Sequence, residues 1–460
     1  MPKSLRCITP YDVRGQVPEA FNKDIAARIA LAFAGYNRSE HLVLGRDVRL
    51  SSPALAEAVC GALLARGCAV TDVGLCGTEE MYHAVFSGAA QGIDGGIMLT
   101  ASHNPASYNG MKLVGRGAHP ISSSNGLEEI ANQAAQMQSD ATSETDPTAK
   151  RGQYRLRPDK SAYIHHILQL ADPGRMRPLK LVVNSGNGCA GPVIDLLVPH
   201  LPFTFIRLQH EPDGRFPNGV PNPLLPDRRA ATAEAVIKHQ ADMGIAWDGD
   251  FDRCFLFDEK GRFIEGYYVV GLLAEAMLSL YPGAAILHDP RLIWNTQDIV
   301  RQAGGNPIMV RTGHSFIKEA MRQHNAVYGG EMSAHHYFRD FGFCDSGMLP
   351  WLLTCRLLAE KDQPLSALCE KRMHAYPVSG EINTSIKAAT ATVLDALKSR
   401  YAEGELDETD GISISYPMYR FNVRPSNTEP FLRLNVETRG DSRLLHDITE
   451  ELLGLIRSFA

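Results

Sequence analysis

Short apolar runs alternate with longer stretches of helical period along most of this chain, the layering expected of an α/β protein. Residues 41–45 predict a strand and 53–66 a helix, with Pro53 early in it, where a missing amide costs nothing. Strands follow at 68–73 and 93–100, the latter running straight into Ser102. A second unit opens with the strand 180–184, and its strand 242–247 leads into a run of aspartates. A third carries a helix at 267–280, strands at 284–289 and 308–311, a helix after Gly313, and the apolar-to-polar passage 327–331. These three units suggest distant internal repetition.

The last segment differs. Leu432, Leu434 and Val436 alternate with Arg433, Asn435 and Glu437 as on a strand, and Leu445, Ile448, Leu452, Leu455 and Phe459 form a stripe on a terminal helix. Residues 136–160 are polar, can bury little, and mark a linker or surface excursion. The predicted domains are 1–150, 151–257, 258–369 and a smaller α+β domain at 370–460, with a boundary near Glu370.

The 460 residues are too many for one ordinary core, and the 44% hydrophobic content is that of a globular protein. A net charge of -6 argues against a nucleic-acid partner. The amino-terminal segment around Lys3 and Arg6 lacks a signal-like apolar core, and no stretch is long enough to span a membrane, so a cytoplasmic protein is expected. Nine cysteines without CxxC spacing, Cys60, Cys68 and Cys76 among them, fit buried thiols in a reducing compartment better than zinc.

Two loops carry the sharpest chemistry. Ala101-Ser102-His103-Asn104-Pro105 offers a hydroxyl that can hold a phosphoryl group, with His103 beside it as a proton-transfer candidate or a structural residue. Asp248-Gly-Asp250-Phe-Asp252-Arg253 places alternate carboxylates that repel one another unless paired or coordinated; all-oxygen donors suit Mg²⁺. Arg253 can align a phosphate or pair with an aspartate. Lys112, in a turn that begins at Asn109, can act as a base only with a lowered pKa; otherwise it donates a proton or neutralises charge. Arg424 with Ser426, Asn427 and Thr428 offers donors for a phosphate nest. Glu331 and Ser333 can bind sugar hydroxyls, or make a salt bridge and a helix cap; His335 and His336 can equally be surface residues.

In their order, TASHNP, DGDFDR, GEMSAHHY from Gly330 and RPSNTEP from Arg424, with the amino-terminal YDVRG and the internal NGMK, resemble the α-D-phosphohexomutase superfamily over nearly the whole chain. The similarity is greatest to its bacterial phosphomannomutase branch, including members that also act on glucose phosphates. It implies three similar mixed-sheet α/β domains and a smaller C-terminal α+β domain around a central cleft. The resemblance implies phosphorylation at Ser102, and Mg²⁺ held by Ser102, Asp248, Asp250 and Asp252. Arg253, Lys112, His314, Tyr11, Arg14 and His103 would line the reaction centre, and Glu331, Ser333 and His335 would bind the sugar. Arg424, Ser426, Asn427 and Thr428 would hold the nonreacting phosphate.

The implied activity is reversible conversion of mannose 1-phosphate and mannose 6-phosphate, with the glucose phosphates as further substrates, through a hexose 1,6-bisphosphate that also serves as activator. Supply of sugar for surface polysaccharides fits such an activity. A phosphoglucosamine mutase, a sugar-phosphate phosphatase and a noncatalytic sensor remain alternatives. The expected partners are phosphorylated hexoses, with no membrane association and a monomer that self-associates weakly if at all. Pro425 stands where some relatives have serine, and the region of Arg291 lacks a lysine found in others, so Arg291 stays outside the expected catalytic set.

Overall fold

A computed structural model describes residues 5–137, 151–425 and 431–459. They form two compact units: Met1–Phe263 with Tyr337–Glu360, and Ile264–His336 with Lys361–Ala460. The architecture is three α/β domains with mixed sheets and a C-terminal domain whose sheet is antiparallel.

The suspected repetition is topological. In the first domain the strand His41–Arg46 lies between Ala69–Leu75 and Gly95–Leu99, all parallel. In the second, Lys180–Asn184 lies between Thr204–Leu208 and Met243–Trp247. In the third, Ala285–His288 lies between Asn306–Met309 and Tyr328–Gly330. The third strand of each set is buried along its whole length. Its unbroken burial is what a central parallel strand covered on both faces requires. Each of these three strands ends in a loop singled out by its chemistry, leading to Ser102, Asp248 and Glu331. Carboxyl ends of parallel strands are where open α/β sheets form binding crevices.

Differences from the sequence expectations have local causes. The strand expected at 308–311 lies at Asn306–Met309. Within the polar stretch, Tyr154–Leu156 forms an exposed edge strand parallel to Ala69–Leu75, anchored by the Tyr154 hydroxyl on Asp72 at 3.0 Å. Main-chain pairing at an edge leaves no apolar periodicity to read. Residues 138–150 of that stretch lie outside the described residues.

Glu370 falls inside the helix Leu365–Ala375, and the C-terminal sheet begins at Ile382. On the strand Phe431–Thr438, Leu432, Leu434 and Val436 enter the core as the alternation predicts. Asn435 and Glu437 on the opposite face are buried as well; Glu437 accepts hydrogen bonds from the Tyr267 hydroxyl (2.5 Å) and the Ile293 amide (2.8 Å). The terminal helix Ser442–Arg457 is capped by Asp441 and buries Leu452, Leu453 and Ile456, with Leu445, Ile448, Leu455 and Phe459 packed at the margin. All nine cysteines are free thiols. Among the described residues no helix is long and apolar enough to cross a membrane.

His336 is fully buried rather than a surface residue; it stacks on Tyr328, whose hydroxyl lies 2.7 Å from its Nδ1. Burial, and then the proximity of His335, lowers its pKa from 6.5 to about 3. The folded value lies below the unfolded one, so the stabilisation is complete above about pH 6.5 and drains away as the pH falls. Urea midpoints are therefore expected to drop between pH 7 and pH 5. In His336→Gln the pH slope of the unfolding free energy should be shallower by up to about 1.4 kcal/mol per pH unit. Equal slopes for both proteins would refute the assignment.

Candidate active site

Ser102 is buried at the end of the strand Gly95–Leu99, in a turn where its own φ is 49°. A left-handed backbone at a residue with a side chain needs support from outside the turn. The Thr100 hydroxyl accepts the Ser102 amide at 2.9 Å, but the larger support is Arg49. One of its terminal nitrogens donates to the carbonyls of Pro105 (2.6 Å) and Tyr108 (2.9 Å), the other to those of Ser102 (2.9 Å) and Asn104 (2.7 Å). Asp47 holds the guanidinium through Nε at 3.1 Å, with both side chains buried. Neither residue belongs to the recognised motifs. A guanidinium that braces a loop through main-chain carbonyls leaves no trace in that loop's own sequence.

The Ser102 hydroxyl donates to Asp248 Oδ2 at 2.7 Å and lies 3.0 Å from His103 Nδ1. Asp248, Asp250 and Asp252 are all buried, with carboxylate oxygens within 4.8 Å of one another. Burial, and then the charges of Asp252 and Asp250, raise the Asp248 carboxyl above its ordinary range. Burial also opposes ionisation of Asp250, but there the Lys112 ammonium prevails and holds the carboxyl below its usual range. Lys112 Nζ bridges Asp250 Oδ2 (2.7 Å) and Asp252 Oδ2. Burial disfavours its charge, yet the two carboxylates raise its pKa.

Asp250 Oδ1 is buried without a hydrogen-bond partner, and the gathered donors are all hard oxygens. That set fits a divalent cation such as Mg²⁺ and offers zinc no sulfur. Arg253 sits at the rim, its amide 3.3 Å from Asp248 Oδ1 and its Nε 3.7 Å from Oδ2. Arg14 reaches the same centre: it clasps buried Asp12 (2.8 Å at the closest) and donates to Asn104 Oδ1 at 2.7 Å. Tyr11, next in the chain to Asp12, is half-buried. Burial, and then Arg253 and Arg14, keep the His103 imidazole neutral, well below the usual histidine range.

The other expected residues belong to the second unit. Glu331 is buried and accepts the Gly313 amide at 3.0 Å, just before half-buried His314 opens the helix His314–His324. Its own amide donates to the His335 carbonyl at 2.9 Å, closing a turn that carries half-buried Ser333 and buried His335. Asp289 pins this turn through the Met332 amide (2.8 Å) and grips Arg291 with both oxygens, at 3.1 and 2.7 Å.

Arg291, left outside the expected set, is thus buried 4.0 Å from Glu331 and 3.6 Å from Glu381. Glu381 also receives Arg424 at 3.2 Å and Arg433 at 3.3 Å. A lone glutamate in an ordinary strand approach gave sequence reasoning nothing to catch. Ser426, Asn427 and Thr428 lie outside the described residues.

Comparison with known proteins places these sites in a family context. Models described as phosphoglucomutase/phosphomannomutase alpha/beta/alpha domains I, II and III match residues 8–140, 161–261 and 265–376, and that of the family's C-terminal domain matches 381–455. The chain is 55% identical to a protein named phosphohexose mutases from Xanthomonas campestris pv. campestris, over 99% of this chain and 100% of that one. It is 54% identical to a phosphomannomutase of Salmonella montevideo, over 99% and 100% of the two chains. A crystal structure of a phosphoglucomutase/phosphomannomutase family protein from Burkholderia thailandensis superposes with a TM-score of 0.85 at 30% identity, covering 99% of this chain and 98% of that one.

The bracing role of Arg49 is measurable. Arg49→Met removes the counter-charge of Asp47 in the interior and takes one donor from each of four carbonyls. A loss of roughly 3–5 kcal/mol in unfolding free energy is expected from denaturant titration. A loss below about 1 kcal/mol, the scale of an exposed ion pair, would contradict the assignment.

Proposed function

The chain belongs to the phosphoglucomutase/phosphomannomutase family, and we propose from this that it interconverts mannose 1-phosphate and mannose 6-phosphate, and the corresponding glucose phosphates, through a phosphoserine at residue 102. The observation that carries the reading is the Ser102 hydroxyl 2.7 Å from Asp248, within a buried carboxylate cluster already bridged by a cation, Lys112.

The chemistry balances as two opposed transfers. The free hydroxyl oxygen of the sugar attacks phosphorus on Ser102; the bond to Oγ breaks, the new ester forms, and the sugar hydroxyl's proton ends on Ser102 Oγ. The product is a hexose 1,6-bisphosphate, which turns end for end and returns its other phosphoryl group to Ser102. Supplied as activator, the same bisphosphate recharges unphosphorylated protein.

Asp248, Asp250 and Asp252, with an oxygen of phosphorylated Ser102, would hold Mg²⁺, which when bound neutralises charge on the transferring group. Arg253 and Arg14 add fixed positive charge near the same oxygens, and Lys112 supplies a proton or counter-charge. His103, neutral and 3.0 Å from the hydroxyl, orients Ser102 Oγ and can carry its proton. Tyr11 and His314 are assigned to the walls of the reaction centre. Glu331, Ser333 and His335 recognise sugar hydroxyls, and Arg424 with Ser426, Asn427 and Thr428 the nonreacting phosphate.

The test combines label transfer with a substrate panel. Isotopically labelled phosphate on Ser102 is expected in the bisphosphate after a single turnover, and Ser102→Ala should lose activity by a factor on the order of 10³ or more. Mannose 1-phosphate and glucose 1-phosphate should both turn over, with little release of inorganic phosphate. Efficient turnover of glucosamine 1-phosphate alone would favour an amino-sugar mutase. Phosphate release matching substrate loss would make the protein a phosphatase, and label that stays on residue 102 would defeat the mechanism.

A further inference from the structure

Four consecutive residues that no motif singled out, Gly77-Thr78-Glu79-Glu80, surround the aspartate loop from the amino-terminal end of the helix Thr78–Ser87. Gly77 leaves room for Phe251, the buried residue between Asp250 and Asp252 whose φ is 42°; a Cβ at Gly77 would stand 2.1 Å from its ring. The Thr78 amide donates to the Asp250 carbonyl at 3.0 Å, and its hydroxyl to Asp250 Oδ2 at 2.6 Å. Lys112 Nζ lies 3.3 Å from the same hydroxyl as donor, which fixes the direction of that hydroxyl's own proton toward Asp250. Oδ2 is thereby committed, and Oδ1 is the buried oxygen left unpaired.

Glu79 holds the opposite side. Its carboxylate accepts the Tyr163 hydroxyl (2.5 Å), the Ser346 hydroxyl (3.0 Å) and the amides of Gly347 and Met348. The turn so fixed presses on the aspartate loop: a Cβ at Gly347 would lie 2.3 Å from the Phe251 carbonyl, and the Gly347 carbonyl accepts Trp247 Nε1 at 2.8 Å. Glu80 completes the arrangement by accepting the Gly77 amide at 2.7 Å and pairing with Lys160.

We propose that Gly77–Glu80 is a positioning element for the aspartate loop, in which Thr78 determines which oxygen of Asp250 faces a divalent cation and Glu79 holds the backing turn in place. The inference rests on the reading of Asp248, Asp250 and Asp252 as cation ligands. Partners that orient a metal ligand commonly account for 10- to 100-fold in metal affinity.

The experiment is a direct titration of Mn²⁺ into the full-length protein, followed by electron paramagnetic resonance, so that binding is read without turnover. Wild type should bind one tight equivalent and Asp250→Asn should lose it. Thr78→Val should weaken binding roughly 10- to 100-fold, Glu79→Gln roughly fivefold, while Thr78→Ser, which restores the hydroxyl, keeps wild-type affinity. The sugar-phosphate KM should stay near wild type as kcat falls at limiting metal. Thr78→Ala replaces the valine variant should the latter fail to fold. Wild-type protein without a tight Mn²⁺ site would overturn the cation reading and the positioning role with it. A tight site equally strong in the Thr78 variants would overturn the positioning role alone.

Discussion

Three aspartates brought within 4.8 Å of one another in a buried loop create a demand for positive charge that the surrounding structure is organised to meet. At an effective dielectric of about 20, two ionised carboxylates at that separation repel by roughly 3–4 kcal/mol. Lys112 answers part of the demand from the strand Tyr108–Val114, bridging two of the three carboxylates. Arg253 lies against the third, whose other neighbour is the Ser102 hydroxyl. A hydroxyl in that position can carry a dianionic phosphoryl group only if further cationic charge accompanies it, so the electrostatics that hold the loop together also define what it can bind.

The same economy extends outward. Arg49 braces the Ser102 turn by four carbonyls and leaves the serine side chain free of structural duty beyond its contact with Asp248 and His103. The aspartate loop has its own braces in Thr78, Glu79 and the turn at 346–348. Left-handed backbone at Ser102 and at Phe251 is strain of the kind that persists where neighbouring groups over-determine the conformation. Rigid placement matters in phosphoryl transfer, which draws its rate chiefly from alignment and charge.

In the second unit the pattern is a lattice of arginines and carboxylates. Arg291, Arg424 and Arg433 converge on Glu381, while Asp289 ties Arg291 to the turn that bears Glu331, Ser333 and His335. Guanidinium groups shared among carboxylates are held in fixed orientation. Arg291 stands in this lattice carrying a charge that survives burial.

Local pattern in the chain determined the strands and helices, because burial on both faces of a parallel sheet imposes apolar runs and the covering helices impose their own period. The candidate site was legible too, since Ser102, the alternate aspartates and Arg253 sit in contiguous motifs, and the fold brings those motifs together. The exposed edge strand Tyr154–Leu156 stayed hidden, being held by main-chain pairing and one hydroxyl contact rather than by an apolar face.

Only tertiary structure decided the pair of carboxylates that raises the Lys112 pKa, the burial of His335 and His336, and the contacts made by Arg49, Thr78, Glu79, Arg291 and Glu381. Lys112, Arg49, Thr78, Glu79, Arg291 and Glu381 act across large separations in sequence, on a carbonyl, a charged side chain or a turn contributed by another element. A pKa or a bracing contact depends on which charges and dipoles come within a few ångströms, and that neighbourhood exists only once the chain has folded.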